Sequence, residues 1–527
     1  MGFNIGSTKS RRVWDGTTRR FYFESPLVRL RDELVYTLEN GAQVLSNARY
    51  DDVYVDGEDL TEATRDDRTK PFRTDLTLPY QSITIFRYYD AASQDFGDGG
   101  SHPIEEFAKG LSDLILRLRT LICTAGGKHP ITGKAVDNGV TEEDFRVYLV
   151  AHSMGGLVCR AFLQNPALGS ADARRLVDKV FTYATPHNGI DLRVVRNVPG
   201  WAALGEATNF NRSRMLQYLN LPPTSDSAAE LVSFPASYVF NLVGSNPGDY
   251  TAVKGLSSWA VGEESDGLVR IANATTFSKQ GDIREQSPRA FAFRSHSGHY
   301  GIVNSEEGFQ NLTRFLFGAV RADGYFDVED VTLPKEVEAE YKAGHEVRAS
   351  YRFEVVATLR GTQWQMHRRT IRENSAIQRT YDELFPKVDD VRKPSRRHSP
   401  HLFSIFLDPN KSVAKNRSVA FAFDVGVLVP DYEIDGRLWL KKHFEGGYLF
   451  RDQVIVEAVP KADVPGGWVM FYGYQSETPN IAKTPAKAEY EADALTFLIP
   501  TNSPAKQRPG LRGWLRIRIQ RWNMGPR

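Results

Sequence analysis

The chain has 527 residues, which is more than one ordinary domain contains and suits two or three domains. Hydrophobic residues make up 41% and charged residues 25% of the sequence, which are ordinary values for a soluble globular protein. The formal net charge is only +1, so composition gives no electrostatic argument for a nucleic-acid or membrane partner, and we expect no nucleic-acid binding.

The sequence contains only two cysteines, Cys123 and Cys159, which excludes a disulfide framework and favours a reducing compartment. It has no run of about 18 apolar residues, so we expect no transmembrane helix. Residues 1–12 lack the apolar region of a secretory signal. Together these features lead us to expect a cytoplasmic protein.

Up to about residue 320, apolar strand-like runs alternate with amphipathic helices, which is typical of an α/β domain. Residues 83–89 predict a strand. Ser101 and Pro103 precede a predicted helix, whose apolar residues recur at helical spacing from Ile104 to Leu121. Later in this part, strands are predicted at residues 177–185, 238–243 and 291–294, and a closing helix at about 305–317.

The most informative stretch lies between these elements. An apolar run at residues 147–150 predicts a buried strand, and residues 157–162 predict a helix. Between them lies Ser153, in the sequence Ala-His-Ser-Met-Gly-Gly. This order is the layout of a nucleophile elbow, which holds a serine on a tight turn, with Ala151 replacing the usual first glycine. The alternative is an ordinary strand, loop and helix with a surface serine.

After about Val320 the apolar pattern changes to a period of two. Residues 322–325, Ala-Asp-Gly-Tyr, are typical of a linker. Alternating strands are predicted at residues 351–360, 419–429, 468–474 and 514–519. Several such strands separated by polar loops predict an all-β, antiparallel sandwich-like domain. We therefore expect two domains, at residues 1–322 and 323–527.

A serine nucleophile needs a base to remove its proton and an acid to orient that base. Where a nucleophile elbow is present, the chain order is serine, then aspartate or glutamate, then histidine. Asp266 is our candidate acid, although an aspartate before a glycine is also common in ordinary turns. The candidate bases are His296 and His299, in one glycine-containing loop. We prefer His299, because residues 300–303 lead directly into the closing helix, and interpret His296 as a supporting or surface residue.

Four segments in this order carry a resemblance to a known family. They are residues 151–156, Ala-Thr-Pro-His-Asn-Gly at 184–189, Ser-Asp-Gly-Leu-Val at 265–269 and His-Tyr-Gly-Ile-Val at 299–303. Over residues 1–320 the chain resembles the lipase-like α/β-hydrolases, in particular the branch of GPI inositol-deacylase-like and triacylglycerol-lipase-like proteins. The resemblance implies an α/β-hydrolase fold with a mostly parallel sheet, a Ser153–Asp266–His299 triad and ester hydrolysis.

Residues 191–235 stand where this fold usually inserts a cap or lid. Their apolar content suits an acyl-binding surface, although packing of the cap on the core explains most of it as well. His187 belongs to the Thr-Pro-His segment, which lines the site in such proteins. We interpret His187 as a structural residue and not as the base.

An oxyanion hole needs two N–H donors. Met154, the residue after the nucleophile, is expected to supply one from its backbone. In the resembled family the other comes from the residue after a His-Gly pair near the start, which corresponds to Phe3 here. Met1 stands where the histidine would be, so the Phe3 N–H is our candidate second donor, and this departure puts full activity in doubt.

The leading hypothesis is a carboxylic-ester hydrolase, a serine esterase or lipase of lipid metabolism, acting on lipids or other apolar acyl esters. The alternatives are a weak or inactive hydrolase-fold protein with a binding or scaffold role, and an acyltransferase or thioesterase. No metal-ligand or cofactor motif is found, so we expect no cofactor and no metal. The C-terminal domain shows no catalytic constellation, and its partner, whether a membrane surface, carbohydrate or protein, is left open.

Overall fold

The computed structural model describes most of the chain, with gaps. The described residues are 10–12, 18–20, 24–32, 35–39, 42–46, 54–56, 76–80, 82–86, 103–129, 133–190, 210–247, 265–281, 283–296, 301–388, 391–408, 414, 417–435, 441–477, 482–491, 494–504 and 506–523. The chain divides into two compact units: the first comprises Met1–Arg289, Arg294–Leu312 and Gly525–Arg527, and the second comprises Ala290–Phe293 and Thr313–Met524. The domain boundary predicted after residue 322 stays a prediction.

Strands and helices alternate in the first part of the chain. Its strands are β1 Ser10–Arg12, β2 Thr18–Arg20, β3 Val35–Glu39, β4 Ala42–Ser46, β5 Tyr54–Asp56, β6 Ile83–Ile85, β7 Val147–His152, β8 Val177–Tyr183, β9 Glu230–Leu231, β10 Val239–Gly244, β11 Phe277–Gln280, β12 Ile283–Gln286 and β13 Arg289–Ala292. The helices are α1 Glu24–Asp32, α2 Ile104–Cys123, α3 Met154–Gln164, α4 Ala171–Arg175, α5 Arg212–Tyr218 and α6 Glu306–Phe317.

Three parallel strands, in the order β10-β8-β7, form the centre of this unit. Every residue of β8 is buried, including Asp178 and Lys179, whose charged groups lie 2.8 Å apart. Phe181 of β8 pairs with Val150 on one side and with Phe240 on the other, and the Phe181 and Phe240 rings stack 4.9 Å apart. Because the strands are parallel, the segments that follow β7, β8 and β10 begin at one edge of the sheet.

Helices α2 and α3 pack against each other and bury their apolar faces. The helix predicted from Ile104 is confirmed, and Glu105 and Glu106 in its first turn favour its N-terminus electrostatically. Its buried residues are Ile104, Phe107, Ala108, Leu111, Ser112, Leu114, Ile115, Leu118, Leu121 and Ile122. Among the described residues, no helix combines the length and the apolar character that crossing a membrane requires.

Arg160 of α3 is a fully buried arginine that binds backbone carbonyls. Its Nη1 donates to the carbonyl oxygen of His187 at 3.0 Å. Its Nη2 donates to the carbonyl oxygens of Ala228 at 2.7 Å and Glu230 at 2.9 Å. Burial lowers the pKa of Arg160 to about 10, so the guanidinium still carries its charge at neutral pH. One side chain therefore joins the segment after β8 to the segment that contains β9.

The second part of the chain is built mainly of antiparallel strands. Its strands are β14 Val320–Thr332, β15 Val347–Leu359, β16 Gln365–Arg369, β17 Ile377–Thr380, β18 Lys387–Val388, β19 Val391–Arg392, β20 His401–Leu407, β21 Val419–Asp435, β22 Lys441–Pro460, β23 Trp468–Tyr474, β24 Thr484–Pro485, β25 Lys487–Tyr490, β26 Ala494–Pro500 and β27 Gly510–Arg521. Two short helices accompany them, α7 Lys335–Lys342 and α8 Tyr381–Leu384.

Twelve of these strands form a five-stranded sheet in the order β20-β14-β27-β26-β25 and a seven-stranded sheet in the order β16-β15-β21-β22-β23-β24, with β17 paired to β15. The other two, β18 and β19, pair with each other. Side chains from both sheets share one buried cluster, including Phe326 and Leu515 from the first sheet and Phe353 and Val427 from the second. The period of two predicted this burial, since alternate residues of a strand face the same side. The sandwich interpretation remains a prediction consistent with that cluster.

The predicted linker at residues 322–325 is wrong, because this segment lies inside β14 and pairs with both β20 and β27. Its buried aspartate, Asp323, has partners: Arg321 Nε lies 2.8 Å from Oδ2, and the Ser404 hydroxyl donates to Oδ1 at 2.6 Å. Gly324 faces the ring of Phe403, which occupies the space that a Cβ atom would need. Asp323 and Gly324 therefore lie in a paired strand and do not form a linker.

Candidate active site

Ser153 lies in the turn between β7, which ends at His152, and α3, which begins at Met154. Its φ of 53° and ψ of −127° are strained for a residue that carries a side chain. The N–H of Ser153 donates to the Tyr183 carbonyl at 2.9 Å, and the Ser153 carbonyl accepts from Gly156 N–H at 3.1 Å. The strand, turn and helix predicted from the sequence are confirmed, and the next strand holds the turn in its strained conformation.

His296 joins this serine to an aspartate. Its Nε2 lies 3.0 Å from Oγ of Ser153, and its Nδ1 lies 2.9 Å from Oδ2 of Asp266. Each of the three residues exposes 1% of its surface. Because a carboxylate only accepts hydrogen bonds, Nδ1 carries the proton and Nε2 is left to accept from the serine hydroxyl. This is the tautomer that a general base requires.

The structure revises the ranking of the two histidines in this loop. The sequence analysis preferred His299 as the base and left His296 as a supporting or surface residue. The structure places His296, fully buried, between Ser153 and Asp266. His299 lies outside the described residues. The physical reason for the revision is the hydrogen-bonded path itself, which local sequence patterns do not determine.

Asp266 is held by the turn in which it lies. Its Oδ1 accepts from the N–H groups of Leu268 at 3.0 Å and Val269 at 2.7 Å, and its own N–H donates to the Val269 carbonyl. Gly267 supplies the positive φ, 94°, that this turn needs. A Cβ on Gly244 would lie 2.8 Å from Cβ of Asp266, so β10 approaches the aspartate closely. One carboxylate oxygen is thus fixed by backbone, and the other faces the histidine.

The backbone of His296 is also held on both sides. Its N–H donates to the Asp266 carbonyl at 2.9 Å, and its carbonyl lies 2.8 Å from Nε2 of His152. Burial, and then the neighbouring His296 ring, hold the pKa of His152 well below the ordinary value of 6.5. The sequence analysis gave His152 no role, and its place directly before the serine was the signal that could have found it.

Of the two expected oxyanion-hole donors, the structure describes only Met154. Met154 is the first residue of α3, where backbone N–H groups have no acceptor within the helix. Phe3 lies outside the described residues. Among the described residues, no group of three or more His, Cys, Asp or Glu side chains is arranged to hold a metal ion.

His187 lies apart from the Ser153 path. It is fully buried, and its Nε2 lies 3.2 Å from Thr182 Oγ1 and 3.2 Å from Asn241 Nδ2. Burial, and then Arg160, keep the pKa of His187 well below 6.5. These contacts join β8 to β10 and agree with the interpretation of His187 as a structural residue.

No protein-family model matches the sequence, and no curated protein matches it. Among solved structures, the mature form of the Bacillus licheniformis lipase BlEst2 is similar at 18% identity, covering 41% of this chain and 74% of that chain, with a TM-score of 0.25. The propeptide form is similar at 12% identity, covering 68% of this chain and 85% of that chain, with a TM-score of 0.26. These lipases are distant likenesses at most, and at such TM-scores they carry no weight for the fold or the activity.

Proposed function

We propose that the first part of the chain is a serine hydrolase of the esterase or lipase type, with an α/β-hydrolase fold at residues 1–322. The observation that carries the proposal is the hydrogen-bonded path from Ser153 through His296 to Asp266, which begins at a strained strand-to-helix turn. Strained backbone and buried, linked titratable groups cluster at catalytic sites. An ordinary surface serine would be exposed and would have no such partners.

In the proposed reaction, Oγ of Ser153 attacks the ester carbonyl while Nε2 of His296 takes the hydroxyl proton. The tetrahedral intermediate then collapses, the C–O bond to the alcohol breaks, and His296 returns the proton to the leaving alcohol. Water, deprotonated by His296, then attacks the resulting acyl-enzyme; the bond between the acyl carbon and Oγ of Ser153 breaks, and His296 returns the proton to Oγ. Asp266 keeps His296 in the required tautomer and stabilises the imidazolium that forms.

The proposal assigns the oxyanion to the N–H of Met154 at the start of α3, where the helix dipole also favours negative charge. The N–H of Phe3 remains the expected second donor. Loss of a single donor from such a hole costs on the order of 100- to 1000-fold in rate, so the identity of this donor bears directly on how active the enzyme is.

A fluorophosphonate probe and a p-nitrophenyl ester assay test the nucleophile. We expect the wild-type chain to be labelled and to turn over the ester, and Ser153→Ala to lose both. Ser112→Ala is the matched control, since Ser112 is a buried serine of α2 that accepts a hydrogen bond from the Ser170 N–H. Equal turnover in wild type and Ser153→Ala would refute the mechanism.

The apolar acyl preference needs a separate test. We expect kcat/KM for p-nitrophenyl esters to rise from acetate to longer acyl chains, and phospholipids or triacylglycerols to be cleaved. Added alcohols and thioesters separate hydrolysis from the acyltransferase and thioesterase alternatives. A folded wild-type protein that the probe does not label would instead support a binding or scaffold role.

A further inference from the structure

A histidine outside the Ser153–His296–Asp266 path connects the nucleophile turn to the base. We propose that His152 is a positioning residue, which holds the backbone of His296 so that the base stays in hydrogen-bond contact with Ser153. This inference rests on the proposed function. It assigns His152 no contact with the substrate and no share in proton transfer.

The direction of the hydrogen bond fixes the chemical state of His152. Its partner is the carbonyl oxygen of His296, which can only accept, so Nε2 of His152 carries the proton and donates at 2.8 Å. The two rings lie 4.8 Å apart at 44°. His152 is buried, with 2% of its surface exposed, so water competes little for this hydrogen bond.

The hydrogen bond from His152 holds the carbonyl side of the His296 backbone, which Asp266 does not bind. Asp266 accepts from the backbone N–H and from Nδ1, whereas the carbonyl lies on the other side of the Cα atom. A bridge between Ser295 and Gly301 joins the ends of the loop that carries His296. The His152 donor adds a fixed point inside that loop, next to the base itself.

His152 and Ser153 are neighbours in the chain, so the end of β7 positions both. A shift of the turn that moved Ser153 would carry the donor of His152 with it, and the carbonyl of His296 would follow. The contact therefore links the position of the base to that of the nucleophile, whose Nε2 and Oγ atoms lie 3.0 Å apart. Misplacing reacting groups by about 1 Å can cost on the order of 100-fold in rate.

The choice of side chain agrees with this role. When His296 takes the serine proton it becomes a cation, and a permanent charge on a neighbouring ring 4.8 Å away would oppose that step. Neutral imidazole supplies an N–H donor without such a charge. Lysine or arginine would supply the donor but place a cation beside the base.

Two amide substitutions separate positioning from simple structure. His152→Gln can place its amide nitrogen near the position of Nε2, whereas His152→Asn carries the same group on a side chain one methylene shorter. We expect His152→Asn to lower kcat on the order of 10- to 100-fold with KM nearly unchanged, and His152→Gln to restore most of the loss. His152→Leu removes the donor altogether, so that a folded comparison exists even if the asparagine variant is unstable.

Thermal unfolding of each variant is measured beside its kinetics. Equal kcat in wild type and in the folded Asn or Leu variants would overturn the positioning role. The positioning role would also be overturned if His152→Asn and His152→Gln lost activity equally and in proportion to their loss of thermal stability. That is the behaviour expected of a histidine that only supports the fold. Failure of the wild type itself to react with the fluorophosphonate probe would contradict the proposed function, and is a separate result.

Discussion

Gly156 faces the side chain of Thr185 so closely that a Cβ atom on Gly156 would lie 2.8 Å from Cβ of Thr185 and overlap its Oγ1. The first turn of α3 therefore lies directly against the segment after β8, and only glycine leaves room for it. This contact holds the helix close enough to the sheet for the strained turn at Ser153 to form.

We predict that Gly156→Ala destabilises the fold by about 1–3 kcal/mol and lowers ester turnover, because the helix must move away from Thr185. Gly447→Ala is the control, since a Cβ there meets nothing within 4 Å. Urea unfolding and ester kinetics measure the two effects. Unchanged turnover in Gly156→Ala would show that the close contact is not needed for the turn.

Asp266→Asn should leave the turn largely intact, because Oδ1 can still accept from Leu268 and Val269. The amide nitrogen would then face Nδ1 of His296 and favour the wrong tautomer. We expect kcat to fall on the order of 10⁴-fold with little change in melting temperature. Asp172→Asn, an exposed aspartate paired with Arg175, is the control.

The role of base is tested by comparing two alanine variants. We expect His296→Ala to lose turnover and probe labelling, because Nε2 of His296 is the atom that lies 3.0 Å from Oγ of Ser153. His299→Ala should keep far more activity than His296→Ala. The reverse order of activities would return the role of base to His299.

Buried neutral histidines should make stability depend on pH. The folded-state pKa values of His152 and His187 lie well below the ordinary value of 6.5, mainly because of burial. Between the folded and unfolded values the unfolded chain binds more protons, so the free energy of unfolding falls as pH falls below 6.5 and is fully retained above it.

Each such histidine contributes a slope of about 1.4 kcal/mol per pH unit in that window. We therefore expect His187→Gln to show a shallower loss of stability than wild type in urea unfolding at a series of pH values. His398→Gln, at an exposed position, is the control. Parallel curves for wild type and His187→Gln would contradict this assignment.

Local sequence patterns were sufficient for the elements around the nucleophile. The apolar run before Ser153 and the helical spacing after it predicted β7 and α3 closely, because an apolar run and a period of 3.6 are properties of short segments. Tyr148 of β7 is exposed, so the strand is not buried on both faces. The candidate acid, Asp266, followed from its place in the chain order, and the structure brings it to the same path.

Two other features depended on tertiary contacts that no local pattern reveals. His296 and His299 share one short loop, and which of them meets Ser153 is decided by the fold of that loop. Asp323 and Gly324 belong to the segment predicted as a linker, yet they lie in a strand. Burial alone would raise the pKa of Asp323, but Arg321 and its other polar neighbours hold it below the usual range. Ser404, one of these neighbours, lies 81 residues further along the chain, so sequence spacing gave no sign of this contact.

Arg160 also bears on how the proposed hydrolase could change through evolution. Its guanidinium holds the carbonyls of His187 and Glu230, which lie on either side of most of the insertion at residues 191–235. On the proposed function, residues 191–235 are a region in which substrate preference could change while Arg160 still ties its flanks to α3, the helix that begins directly after Ser153.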